Sequence, residues 1–146
     1  MISLELENKV KYALLIEYNG NGLVGWQRQD EGISVQGWLE KAAKNIFNED
    51  FEIQGAGRTD AGVHALGQVA HIHLPQNHKL TTSHPFYIIS AFNAMLKDTE
   101  IRVISAKPVP TEFNARFSAI KRSYKYRILC RAAPPGLDKG KVWHIK

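Results

Sequence analysis

Two hydrophobic periodicities alternate along this chain, and the order in which they follow one another limits the fold most. In KYALLIEY (11–18) the residues Tyr12, Leu14, Ile16 and Tyr18 recur every second position, which puts them on one face of a β-strand. From Ser34 the period changes. Val35, Trp38, Leu39, Ala42, Ala43 and Ile46 recur at helical spacing, with Ser34 placed to cap the first turn. The pattern then predicts short strands over FEIQGA (51–56) and QVAHIHL (68–74). A second helix is expected after Pro85, with Ile88, Phe92 and Met95 as its apolar stripe to about Leu96. EIRVISAKPV (100–109) reads as a fourth strand and RSYKYRILC (122–130) as a fifth.

A β-α-β-β-α-β order with one more strand behind it is the ferredoxin-like pattern, an α+β fold. Two helices cover one face of such a sheet and leave the other to bind something or to be covered by a partner. The 146 residues are enough for one domain with a real core, and 44% apolar with 23% charged residues excludes a disordered chain. No apolar run reaches bilayer length, and MISLELENK does not read as a signal peptide. The single cysteine, Cys130, has no internal partner, which suits a reducing cytoplasm.

Charge is distributed unevenly. Residues 1–101 hold 8 Lys and Arg against 12 Asp and Glu (−4), whereas residues 102–146 hold 11 against 2 (+9). A basic stripe of this kind fits either a polyanion partner or a solvated strand and tail. GAGRTDAGVHALGQVAHIHL (55–74) sets Arg58 and Asp60 among residues with almost no side-chain bulk, which lets another molecule approach the backbone. A carboxylate on such a turn serves as nucleophile, general base or metal ligand, or simply bonds its own backbone. Arg58 suits pairing with Asp60 or holding a phosphate. His71 and His73 fall on one face of their strand, but no cysteine or carboxylate cluster nearby completes a metal site.

GRTDAGVHALGQV (57–69) closely resembles the signature of the tRNA pseudouridine synthase A family. IEYNGNGLVGWQRQ (16–29), SVQGWLEKA (34–42) and FNARFSAIKRSYKYRI (113–128) agree with it in order and position. The resemblance implies half of a pseudouridine synthase fold that isomerises uridine to pseudouridine at positions 38, 39 and 40 of the tRNA anticodon stem-loop, without a cofactor. It puts Asp60 in the place of the catalytic aspartate, Tyr124 in that of the tyrosine stacking on the target base, and Arg58 in that of the arginine that helps displace the nucleotide. Reaching the base requires taking it out of its stack, and an aromatic ring offsets part of that cost. A carboxylate can add to the sugar or the base, or take a proton from the sugar; the residue types admit all three.

Around these, Arg116, Lys121 and Arg122 are candidate phosphate ligands, with Lys125, Arg127 and Arg131 in the same stripe. Gln27 is a candidate along the RNA path, Arg28 is a candidate phosphate ligand, Trp26 is a candidate for the same path or for a buried anchor, and His64 braces the loop or touches RNA. Strand alternation puts Tyr124 and Tyr126 on one face with Lys125 and Arg127 on the other; Tyr124 takes the site role that the resemblance implies, and Tyr126 is expected to pack. Family members are about twice this length, so residues 1–130 are expected to form the catalytic-aspartate domain, with 131–146 starting the crossover to a second domain that is absent. The family also implies a homodimer. A non-catalytic RNA-binding module is the rival reading: it would keep the basic stripe and Tyr124 but has no need of Asp60. A glycosidase would need a second acid near Asp60, and the signature loop has none.

Overall fold

The computed structural model describes residues 6–146. The elements run β1 (Lys9–Tyr18), α1 (Val35–Phe47), β2 (Gln54–Gly55), β3 (Ala65–Pro75), α2 (Phe86–Met95), β4 (Ile101–Pro108), β5 (Ile128–Cys130) and β6 (Trp143–Ile145). β1 to β4 form one antiparallel sheet in the order β2-β3-β1-β4. This is the ferredoxin-like arrangement that the periodicity predicts. Among the described residues, no helix is long and apolar enough to cross a membrane.

The alternating residues of β1 explain why the sheet closes as it does. Tyr12, Leu14, Ile16 and Tyr18 are buried together with Ala70, Ile72 and Leu74 of β3 and Ile101, Val103 and Ala106 of β4. Leu39, Ala42 and Ala43 of α1, with Ile88 and Phe92 of α2, close the core from above. Each large aliphatic side chain so enclosed contributes about 1.5–3 kcal/mol. α1 begins as expected, with the Ser34 hydroxyl accepting the Gly37 N–H at 3.0 Å. In the second helix the buried series is Ile88, Phe92 and Leu96, spaced by four, while Met95 stays 44% exposed. The stripe follows the i, i+4 row, and Met95 falls one position short of it.

Two expected strands are shorter than predicted. FEIQGA forms β2 only at Gln54–Gly55. RSYKYRILC is a strand only at Ile128–Cys130, which lies outside the main sheet and pairs in parallel with β6. β6 lies within residues 131–146, the stretch expected to begin a crossover. Residues 121–127 belong to no strand, so alternation cannot sort their side chains. The packing role expected for Tyr126 is therefore not met: its ring is 91% exposed.

One buried acid joins the helix to the layers beneath the site. Glu40 of α1 accepts the Ile53 N–H at 3.1 Å and the Gln36 amide at 3.2 Å, and pairs with the Arg28 guanidinium through its other oxygen. Gln36 in turn donates to Ile53 O and accepts the Arg28 N–H. Replacing Glu40 by Ala leaves a buried N–H without an acceptor, a loss of about 2 kcal/mol. In thermal denaturation this should appear as a melting temperature lower by about 4–8 °C.

Candidate functional site

The signature loop is held against the turn-rich loop after β1 by backbone contact. Trp26 N–H donates to Thr59 O at 3.0 Å, and the Tyr18 hydroxyl shares a 2.8 Å hydrogen bond with the Thr59 hydroxyl. Gly25 makes the approach possible. Its φ is +110°, and a Cβ there would lie 2.4 Å from Thr59 O. At the loop's far end His64 accepts the Gly20 N–H at Nδ1 (2.9 Å), so its proton sits on Nε2, which donates to Gly140 O at 2.8 Å. His64 thus bridges three loops, and both ring nitrogens face backbone.

A cleft of about 780 Å³ opens beside this loop. Arg58, Gln27, Arg116, Arg122 and Tyr124 line it, with Trp26 and Gly55 to Gly57 along its wall. Tyr124 is 72% exposed, and its hydroxyl would stand 3.8 Å from a Cβ on Gly57. Burial raises the Tyr18 pKa, the hydrogen bond with the Thr59 hydroxyl opposes it, and Tyr124 lies close enough to add a little to the rise. Arg116 stands over the Phe117 ring, 5.6 Å from its centroid.

Five of the nine predicted site residues therefore share the cleft. Asp60 does not line it: its exposed carboxylate stands two residues past Arg58, on a turn closed by Val63 N–H donating to Asp60 O at 3.1 Å. Among the described residues Asp60 has no ion-pair partner, so Arg58 and Asp60 are both free for a ligand. Arg28 turns to Glu40 and does not line the cleft. Lys121 is exposed on the basic arm. Trp26 is a buried anchor, 3% exposed, with its indole where a Gly55 side chain would sit.

Arg122 has a second occupation. Its guanidinium donates to Ala56 O (2.8 and 3.1 Å) and to Arg116 O (2.7 Å), clasping the basic arm to the start of the signature loop.

Residues 14–118 match the family model described as tRNA pseudouridine synthase. The chain belongs to the tRNA pseudouridine synthase family. It is 50% identical over 136 residues to tRNA pseudouridine synthase A of Rhodospirillum rubrum, a match covering 93% of this chain and 47% of that protein. The enzyme of the same name from Paramagnetospirillum magneticum is 46% identical over 135 residues, covering 92% and 51%. That of Afipia carboxidovorans is 49% identical over 135 residues, covering 92% and 53%. The chain spans about half the length of the curated relatives it matches.

Sequence reasoning missed the residues that shape the synthase-family loop from behind. Gln68 donates to Gly57 O at 2.6 Å and Tyr18 holds Thr59, yet both read from sequence as strand residues. Asn114 caps its own turn, its side chain accepting the Arg116 and Phe117 N–H groups. An Asn followed four residues later by Ser was a visible sign of that turn.

The glycines give a direct check. Gly25→Ala forces the Thr59 carbonyl aside and should cost at least about 2 kcal/mol in urea denaturation. Gly22, also at positive φ (+76°), has nothing within 4 Å of an added Cβ, so Gly22→Ala should cost only about 1 kcal/mol.

Proposed function

We propose that this chain is the catalytic-aspartate half of an enzyme that isomerises uridine to pseudouridine in tRNA, at positions 38–40 of the anticodon stem-loop. The observation that carries the reading is one cleft lined by Arg58, Arg116, Arg122 and Tyr124, beside a loop that presents Asp60 with no ion-pair partner among the described residues. The exposed arm, with Lys121 and Lys125 beside Tyr124, offers cations to phosphates on either side of an extruded nucleotide. Tyr124 offers its ring to the base, and Arg58 can fill the space the base leaves.

The chemistry asks for a reversible covalent or basic group at the sugar–base junction. The C–N glycosidic bond breaks, the uracil turns, and a bond forms from the same sugar carbon to a ring carbon, which gives up its proton while the freed ring nitrogen gains one. Asp60 is the carboxylate of the signature loop and is assigned this role, and no external atom is incorporated. The named relatives carry about as much chain again, and full activity is expected from the two halves together, residues 1–130 supplying the aspartate domain and 131–146 leading to the second. We read the protein as cytoplasmic and homodimeric; the lone cysteine fits the first, and exposed apolar side chains such as Phe117, Ile120 and Leu137 fit the second.

A chimera tests the catalytic reading. This chain replaces the matched residues of the Rhodospirillum rubrum synthase, and pseudouridine is mapped in tRNA incubated with the product. The chimera should modify tRNA, and its Asp60→Asn variant should not, while tRNA affinity falls little. Substantial residual modification in the variant removes Asp60 from the catalytic role, and intact binding with no modification in the parent chimera favours an RNA-binding module.

Affinity has its own check. Lys121→Ala should lower the slope of log K against log salt by up to about one. An unchanged slope would make Lys121 a solvated charge. Arg122 is unsuited to this test because it also clasps Ala56.

A further inference from the structure

The sheet face opposite the helices is not bare. Residues 109–118 cross it, beginning where Val109 N–H donates to Lys11 O at 2.9 Å. The Lys11 side chain, only 9% exposed for the residue as a whole, reaches under this segment and donates to Phe113 O at 2.7 Å and to Thr111 O. From β3, His71 accepts the Ala115 N–H at Nδ1, 3.1 Å away, with His71 4% and Ala115 2% exposed. The Phe113 ring stands edge-on to the imidazole, 6.3 Å between centroids.

What this fastening holds is one wall of the cleft. Directly after Ala115 come Arg116 and Phe117, both lining it, and Arg116 O receives the Arg122 guanidinium that also grips Ala56. A continuous set of bonds therefore runs from Lys11 and His71, through the Asn114 turn, to the start of the signature loop.

We propose that Lys11 and His71 are positioning residues: together they fasten segment 109–118 across the sheet and so set where Arg116 and Phe117 stand at the cleft. The link to function rests on the RNA reading above; the fastening itself does not. His71 acts in one protonation state only. Nδ1 must be unprotonated to accept from Ala115, and the proton then lies on Nε2.

The surroundings enforce that state. Burial, then the Lys11 ammonium and the neighbouring His73, lower the His71 pKa from 6.5 to about 4, while Glu52 opposes them. Lys11 and Lys9 also lower that of His73, after burial. The sign follows directly. The unfolded chain takes up the proton near pH 6.5 and the folded chain only near 4, so this contribution to stability is complete above 6.5 and shrinks as pH falls toward 4.

Amide hydrogen exchange on the 146-residue chain tests the fastening without RNA. In His71→Asn the Oδ1 takes the place of Nδ1 and cannot titrate; in His71→Leu no acceptor remains. His71→Leu should speed exchange at Ala115 to Ser118 roughly tenfold, the loss of about one hydrogen bond. Leu14 and Ile72 should stay protected, and His71→Asn should behave as the parent. Lys11→Met should loosen the same segment from its other end. In RNA binding, His71→Leu should weaken anticodon stem-loop affinity about tenfold, with His71→Asn near the parent.

Unchanged exchange at 115–118 in both His71→Leu and Lys11→Met overturns the proposal. Equal acceleration throughout β1 and β3 in both variants also overturns it, by making the two residues ordinary packing. Faster local exchange with unaltered RNA affinity overturns the positioning role. A parent chain that binds no stem-loop counts against the RNA reading and leaves the exchange result to decide the fastening.

Discussion

The site rests on a backbone contact, the Trp26 N–H held by the Thr59 carbonyl at 3.0 Å. Everything the signature loop presents is referred to it. Thr59 lies between Arg58 and Asp60, so fixing its carbonyl and hydroxyl fixes the stem from which both charged side chains project. Trp26 is itself buried in the core, which makes the contact a rigid reference rather than a meeting of two surface loops. A charged side chain on an exposed turn ordinarily samples many positions; one on a turn anchored on both sides samples few.

A second tier of bonds braces the walls of the cleft. Glu40 and Gln36 hold the backbone at Ile53 and Arg28, Gln68 holds Gly57, and Arg122 holds Ala56. Most of these are polar side chains bonded to main-chain atoms, which fix backbone position without depending on a partner's rotamer. Among the described residues, no buried side-chain nitrogen or oxygen is left unpaired, so this bracing carries no desolvation penalty of the kind an orphaned group imposes.

The fold was legible because its period-two and period-3.6 segments are long and bounded by clear turns. β1, α1 and β4 match their predicted ranges closely. Misreading began where tertiary contact outweighs local pattern. RSYKY alternates like a strand, but a strand needs a neighbour to bond with, and among the described residues it has none. Arg58, Tyr124 and Arg116 were identifiable from motif and charge. Arg122 carried the same charge signal yet spends its donors on carbonyls, and Lys11 and His71 looked like ordinary strand residues. Single-sequence pattern reports which face a side chain takes, but not the distant main-chain atom that meets it there.

The central place of β1 has a consequence for how the chain is made. Its partners are residues 65–75 and 101–108, so β1 leaves the ribosome before either neighbour and waits for both. At about 5–20 residues per second, the residues separating β1 from β3 take roughly 2–10 s to synthesise. During that interval Tyr12, Leu14, Ile16 and Tyr18 have no sheet to enter, and α1 is the nearest apolar surface available to shelter them. When β3 arrives it brings the signature loop immediately ahead of it, so pairing of the first two long strands and delivery of Asp60 to its anchored turn belong to one event in biogenesis.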